Sequence, residues 1–239
     1  MNGWEEVIEY WQETFFVVPA YTLCVIIAAI TGLIFHRKSK IGNLFLLYLS
    51  VDFTIVFLDD CLSLFLVWSK ESKNIYRNIT NVVICLVELN VYLYFFSEVI
   101  QSKKVKRSFA FLKAIFSTAM ILFGINCFGA LRFIPLRKFT QYIGAIEFLI
   151  LLIPSFTFYS ELFSNNSNED ILKRPSFWIT TGIFLLSILS IPFYLIDYYL
   201  VINKFPYLNN FAALLFYTPL AFNYLLLSKA FLCKRVLTI

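Results

Sequence analysis

The chain has 239 residues, of which 60% are hydrophobic and 15% are charged, and its mean hydropathy is +0.76. A soluble domain has about 45–50% apolar and about 25% charged residues, and its interior would be too small to bury this much apolar surface. The composition therefore excludes an ordinary cytosolic enzyme and a disordered protein. The formal net charge of +5 is modest, and we expect no nucleic-acid partner. The sequence predicts an all-α, polytopic membrane bundle.

Seven apolar runs follow one another along the chain, and each is long enough to cross a bilayer, which takes about 20 residues. The first run, Thr14 to Phe35, follows a segment that contains four glutamates and no basic residue. A signal peptide has the opposite charge pattern, so we expect a retained transmembrane helix. We predict one transmembrane domain over residues 1–239, with spans at about 14–35, 42–68, 79–101, 112–131, 139–162, 176–200 and 208–230.

The basic residues of the connectors favour one orientation. With the N-terminus outside, 13 of the 20 Lys and Arg residues lie on the inner side and 7 on the outer side. We therefore predict an N-out, C-in protein of the inner (cytoplasmic) membrane. The inner clusters at Lys103–Arg107 and Lys234–Arg235 leave two interpretations open. They either meet a protein partner or set the topology beside anionic lipid.

The chemistry available to the chain is narrow, because it contains a single histidine, His36. Multi-histidine zinc hydrolysis and bis-histidine haem ligation need more imidazoles. The five cysteines lie in or beside apolar runs without a CxxC pattern, which is typical of free, buried thiols. We expect no cofactor, no metal site and no catalytic residue, and an intramembrane enzyme would have only carboxylates to use.

The informative residues are the acids inside the predicted spans. A charge at the centre of a membrane helix costs about 2.5–3.5 kcal/mol, so such residues usually face the bundle interior and serve a purpose. Counting about 1.5 Å per residue from the span ends places Asp52 and Glu98 in the inner half. The same count places five acids in the outer half and predicts an outward-facing acidic pocket there, formed by Asp59, Asp60, Glu88, Glu147 and Asp197.

Two interpretations of these acids remain open. In the functional one, Asp59, Asp60, Glu88, Asn90, Glu147 and Asp197 are candidates for binding a cation, a protonatable ligand or a proton, with Tyr92, Tyr94 and Tyr194 as neighbours. Packed carboxylates repel each other, so at least one would stay protonated near neutral pH and the site would respond to pH. In the structural one, each acid is neutral and hydrogen-bonds across helices, or pairs with Arg77 or Arg132.

The most distinctive stretch runs from Pro175 to Ile183 and reads Pro-Ser-Phe-Trp-Ile-Thr-Thr-Gly-Ile. Pro175 suits the first turn of a helix, and Gly182 allows a neighbouring helix to approach closely. With Glu88 in Val-Glu-Leu, Glu147 in Ile-Glu-Phe-Leu and the ending Leu-Ser-Lys-Ala-Phe-Leu-Cys, this stretch resembles uncharacterised seven-helix membrane proteins of the Bacteroidetes. Those proteins are often encoded beside two-component sensor kinases or response regulators.

That resemblance implies a sensory or accessory signalling component, with a sensor kinase or another membrane protein as its partner. It implies no site residues. The alternative is a small proton- or cation-linked transporter or channel. Seven helices with an outer N-terminus are similar to the sugar exporters of the SWEET type, but the parallel three-helix repeat of those exporters is not evident in this sequence.

Overall fold

The computed structural model describes residues 17–35, 40–65, 70–128, 136–164, 170–202 and 206–233. Within these ranges only the backbone is described at 17–18, 56–57, 59–65, 70–78, 123–128, 136–141, 195–202 and 206–213. The described residues form seven α-helices and no strand, which confirms the predicted all-α fold class. We number the helices α1 (Val17–Phe35), α2 (Lys40–Phe65), α3 (Lys70–Val99), α4 (Lys103–Phe128), α5 (Leu136–Ser164), α6 (Pro175–Ile202) and α7 (Pro206–Leu232).

Four helical segments are long and apolar enough to cross a membrane, namely Ile79–Val99, Tyr142–Ser164, Pro175–Tyr194 and Leu214–Leu232. α1 adds a shorter apolar segment, Pro19–Phe35. Helix suits these runs because, in lipid, every backbone polar group must find its partner within the segment. The predicted number of seven crossings remains a prediction.

Large apolar side chains cover much of the outer surface of the bundle. Leu33 is 67% exposed, Phe111 66% and Phe163 69%, on three different helices. Exposed apolar surface of this extent is unfavourable in water and typical of a surface that faces lipid. Together with the four apolar segments, it is compatible with an integral membrane protein.

Six of the helices form a closed ring. Each packs against the next in the order α1, α2, α3, α5, α6 and α7, and α7 returns to α1. The most extensive contacts join α7 to α6 and to α1, and α6 to α5. α4 lies outside this ring and packs mainly on α3. A ring of this kind has an interior into which several helices direct side chains.

One end of the bundle is held by polar contacts between connectors. The Glu161 carboxylate accepts hydrogen bonds from the backbone N–H groups of Gln101 and Ser102, at 2.8 and 3.2 Å, and so links α5 to the three-residue turn between α3 and α4. At the same end Lys229 Nζ lies 5.9 Å from the centre of the Trp178 ring. α6 begins at Pro175, as the sequence predicts.

The helices extend beyond the predicted spans at several ends. α3 begins at Lys70, nine residues before the predicted span at 79, because a helix continues through polar residues once it leaves the apolar layer. Pro154, Pro192 and Pro219 lie inside α5, α6 and α7, where each removes one backbone donor. Pro19 lies in the first turn of α1, where no donor is needed.

Candidate functional site

The inward face of α3 presents three chemically active side chains, Cys85, Glu88 and Tyr92. Their spacing of three and four residues places them on one side of the helix. Glu88 is 5% exposed and Tyr92 1%. Glu88 interacts electrostatically with the Tyr92 hydroxyl on its own helix and with the Asp52 carboxyl on the neighbouring helix α2. The middle of α3 therefore places a carboxyl group inside the ring.

A second carboxyl group reaches the same place from α5. Glu147 is 1% exposed and interacts with Glu88 and with the Cys85 thiol of α3. Atom Oε1 of Glu88 and atom Oε1 of Glu147 are both buried without a hydrogen-bond partner among the described residues. Buried polar atoms are rarely left in this state. We call Glu88 and Glu147 the carboxyl pair.

The third buried acid, Asp52, has a different environment. Its Oδ2 atom accepts hydrogen bonds from the hydroxyls of Tyr21 on α1, at 3.2 Å, and Tyr224 on α7, at 2.5 Å. Asp52 is 2% exposed. Charge-assisted bonds of this kind are among the strongest that side chains make, so Asp52 joins three helices at the centre of the bundle.

Tyrosine hydroxyls connect Asp52 to the α3 side of the ring. The Tyr224 and Tyr48 hydroxyls are 2.9 Å apart, and the Tyr92 hydroxyl lies 3.5 Å from that of Tyr48. Asn223 Nδ2 donates to the Tyr92 hydroxyl at 2.8 Å. Because α3 and α7 are not neighbours in the ring order, these bonds cross the interior. We call Tyr92, Tyr48 and Tyr224 the tyrosine series.

Gly182 makes room for this arrangement. A Cβ atom at position 182 would lie 2.5 Å from Asn223 Oδ1, so the Asn223 amide rests directly against the backbone of α6. The missing side chain lets α7 approach, as the sequence predicts, and directs the Asn223 amide toward Tyr92. The glycine thus sets the position of a donor in the network.

α6 adds a row of small hydroxyl side chains to the buried interior. Thr180, Ser187 and Ser190 are all 0% exposed. Ser187 donates to the Ile183 carbonyl of its own helix at 2.7 Å, whereas the Thr180 and Ser190 hydroxyls have no partner among the described residues. The row extends the polar interior along the helix axis.

The structure brings only part of the predicted site together. Of the six candidates, Glu88 and Glu147 are both buried in the interior and interact electrostatically. Asn90 instead donates to the Leu86 carbonyl of its own helix at 2.7 Å. The side chains of Asp59, Asp60 and Asp197, like Arg77 and Arg132, lie outside the described residues.

Of the three tyrosines predicted to lie beside the acids, one is part of the hydrogen-bond network and two are not. Tyr92 belongs to the network. Tyr194 lies against Gly144 and packs on Phe148, with 5.9 Å between ring centres. The Tyr94 ring makes a cation–π contact with Lys113 of α4, whose Nζ is 5.8 Å from the ring centre. Tyr94 also interacts with Glu98.

The depth count placed Asp52 in the inner half and Glu88 in the outer half. Asp52 occupies the middle of α2, Glu88 lies near the middle of the apolar segment Ile79–Val99, and the two carboxyl groups are close enough to interact electrostatically. Counting from the ends of the apolar run around α2 overestimates their separation, because that run is longer than a single crossing requires. Sequence reasoning also missed Tyr21, Tyr48, Cys85, Asn223 and Tyr224. The four-residue spacing of Tyr48 and Asp52 was an available signal.

The donor set suits protons and small cations more than multivalent metals. No group of three or more His, Cys, Asp or Glu residues with metal-binding geometry occurs among the residues with described positions. The carboxyl pair offers oxygen atoms alone, and two of these have no donor among the side chains and backbone that the structure describes. No family model, curated protein or solved structure matches this chain.

Proposed function

We propose that this protein is a sensory or accessory signalling component of the cytoplasmic membrane, in which the carboxyl pair takes up a proton or a small cation. The observation that carries the proposal is the pair of unpartnered, buried oxygens on Glu88 and Glu147. An ionised carboxylate buried without a partner is costly, and two adjoining ones repel each other. A proton or a monovalent cation between them removes both penalties.

The network around the pair supports sensing. Occupancy of the pair changes the charge beside Tyr92, and Tyr92 is linked through Tyr48 and Tyr224 to Asp52. A change of charge at the carboxyl pair, on α3 and α5, can thereby alter the hydrogen bonds of α2 and α7. A sensor needs such an element, with two arrangements that a ligand biases.

A specific observation favours transport as the second candidate. The unpartnered hydroxyls of Thr180 and Ser190 are ten residues apart on α6, which corresponds to about 15 Å along a helix. Polar atoms at several depths are what a pathway for a proton or cation requires. In a transporter the carboxyl pair would be one binding site along that pathway.

The experiment that tests ligand uptake uses the full chain in lipid nanodiscs. Thermal unfolding is measured from about pH 5 to about pH 9, with and without sodium or potassium salts. An unfolded glutamate releases its proton near pH 4.3. A pair that retains a proton in the folded state therefore loses stability as pH rises through the neutral range.

We expect the Glu88→Gln and Glu147→Gln variants to lose this pH dependence. The matched control is Glu98→Gln, a half-buried acid on the same helix as Glu88, which should follow the wild type. Stabilisation by sodium or potassium at high pH would assign a cation to the pair. Identical pH profiles for the wild type and both pair variants would end the proposal.

Flux measurements separate the two candidates. In proteoliposomes carrying an internal pH dye, a sensor leaves the internal pH unchanged under a proton gradient. A transporter dissipates the gradient, and Glu88→Gln abolishes that flux.

The proposed signalling partner is a sensor kinase or another membrane protein, with the exposed basic residues at the start of α4 as the contact. Lys103, Lys104 and Arg107 are exposed there, on the side predicted to be cytoplasmic. Replacing all three with Gln is expected to abolish co-purification of the kinase encoded nearest the gene while leaving thermal stability unchanged. Unchanged co-purification would exclude this surface.

A further inference from the structure

A series of polar groups leads from Glu88 to Asp52. Glu88 lies one turn before Tyr92 on the same face of α3, Tyr92 is 3.5 Å from Tyr48, and Tyr48 is 2.9 Å from Tyr224. The Tyr224 hydroxyl donates to Asp52. Carboxyl and hydroxyl groups both give and accept protons, so every position in the series can pass one on.

The hydrogen bonds of the series can run in two directions. Asn223 Nδ2 has only hydrogens to offer, so its 2.8 Å bond fills one acceptor position of the Tyr92 oxygen. The single Tyr92 hydrogen then points either to Tyr48 or to Glu88. The Tyr48–Tyr224 bond forms equally well with either residue as donor. The direction of the whole series is therefore set by which end carries the proton.

We propose that the tyrosine series is a proton relay between Glu88 and Asp52. This inference rests on the proposed function, because Glu88 must first take up a proton. Glu88 then gives its proton to the Tyr92 oxygen, the Tyr92 proton passes to Tyr48, the Tyr48 proton passes to Tyr224, and the Tyr224 proton passes to the Asp52 carboxylate. Each tyrosine breaks one O–H bond and forms another, so Glu88 ends ionised, Asp52 ends neutral and the total charge is unchanged.

After the transfer, every bond of the series points the other way. Protonated Asp52 donates to Tyr224, Tyr224 to Tyr48, Tyr48 to Tyr92, and Tyr92 to Glu88. The two directions are two discrete states of bonds that join α2, α3 and α7. The Tyr92–Tyr48 link, at 3.5 Å, is the longest and must shorten for transfer.

The groups that interact with the series include no basic side chain among the described buried residues. Among those residues, the number of negative charges is therefore governed by the protons that the acids hold. Besides the relay members, the interacting groups are Tyr21 of α1, which in turn interacts with Tyr217 of α7, and Cys85 of α3, Glu147 of α5 and Asn223 of α7.

Time-resolved infrared spectroscopy after a downward pH jump tests the relay, with the full chain in lipid nanodiscs. The carbonyl bands of protonated Glu88 and Asp52 are assigned with Glu88→Gln and Asp52→Asn. In the wild type we expect the Glu88 band to rise first and the Asp52 band to follow. In Tyr48→Phe, which keeps the ring and removes the central hydroxyl, we expect the Asp52 band to be lost or delayed about tenfold or more. The Glu88 band should be unchanged.

Tyr159→Phe is the matched control, because that hydroxyl bonds to Thr181 on α6 at 2.8 Å and lies outside the series. It should keep the wild-type kinetics. If Tyr48→Phe fails to fold, Tyr92→Phe interrupts the series at the next position. The wild type gives a second readout in D2O. Because a relay moves several O–H protons, the rise of the Asp52 band should be slower in D2O than in H2O.

The outcomes separate the relay from the function on which it rests. Absence of a Glu88 band in the wild type would defeat the relay and would exclude a proton as the ligand of the carboxyl pair. A normal Glu88 band with wild-type Asp52 kinetics in Tyr48→Phe, or with no slowing in D2O, would overturn the relay alone.

Discussion

Asp52 and Glu147 are both almost completely buried inside the same ring of helices, yet their surroundings are opposite. Asp52 receives two tyrosine hydroxyls at one oxygen. Glu147 keeps one oxygen without any donor among the described residues, and so does its neighbour Glu88. Burial therefore does not distinguish an acid that stabilises the fold from one that is free to take up a proton or cation from outside the protein. The number of hydrogen-bond donors around it does.

The difference has an energetic meaning. A buried polar group without a partner lowers the stability of the fold by about 1–3 kcal/mol. A carboxyl group that receives charge-assisted hydrogen bonds instead stabilises the contacts between the helices that donate them. Asp52 joins α1, α2 and α7 and should stabilise the fold. The carboxyl pair between α3 and α5 should contribute little to stability, because its arrangement suits a bound proton or cation.

The largest expected effect is at Asp52. Replacing Asp52 with Ala removes the acceptor of two buried hydroxyls, and we expect the free energy of unfolding to fall by about 3 kcal/mol. Asp52→Asn retains one oxygen acceptor and should lose less. Chemical unfolding in mixed micelles measures both. If Asp52→Ala were as stable as the wild type, the structural role of this acid would be refuted.

The second effect concerns the contact that positions Asn223. In Gly182→Val the new side chain would overlap Asn223 Oδ1, which lies 2.5 Å from the position of a Cβ atom. We expect a loss of about 2 kcal/mol from overpacking, measured in the same way. The control is Gly32→Ala, whose Cβ would meet the end of the Leu46 side chain at 2.7 Å and the Phe231 ring at 3.1 Å. Alanine adds one carbon atom where valine adds three, so the control should lose less.

A smaller effect is expected at the end of the bundle. Glu161→Gln removes the charge and one of the two acceptor oxygens, so only one of the two hydrogen bonds to the backbone of the turn between α3 and α4 can be kept. We expect a loss of about 1 kcal/mol, because the site is partly exposed to solvent and one amide oxygen still accepts. Hydrogen exchange at Gln101 and Ser102 should accelerate in the variant. Unaltered exchange would show that this contact does not hold the turn.

The smallest effect is expected at the carboxyl pair itself. Because Glu147 Oε1 has no donor to lose, Glu147→Gln should change the free energy of unfolding at about pH 5 by no more than about 0.5 kcal/mol. A loss as large as that of Asp52→Ala would remove the contrast between the two acids and show that Glu147 is structural.

The sequence predicted the fold class, because apolar runs of this length have few alternatives to helix in a membrane. It also singled out Glu88 and Glu147, since isolated acids in apolar runs are costly. It did not predict that Asp52 lies close enough to Glu88 to interact with it electrostatically, because helix register and tilt come from tertiary packing rather than from the ends of apolar runs. The position of Asn223 depends on Gly182, on another helix, and no local pattern reveals that contact.

Direct proton counting tests the central claim, that the carboxyl pair holds an exchangeable proton. Indicator titration from about pH 9 to about pH 6 is compared between the folded wild type and the Glu88→Gln/Glu147→Gln double variant, with Glu98→Gln as reference. Our account predicts that the wild type and Glu98→Gln take up about one proton more per chain than the double variant, because two adjoining carboxyls share one proton. Equal uptake by all three proteins would contradict it.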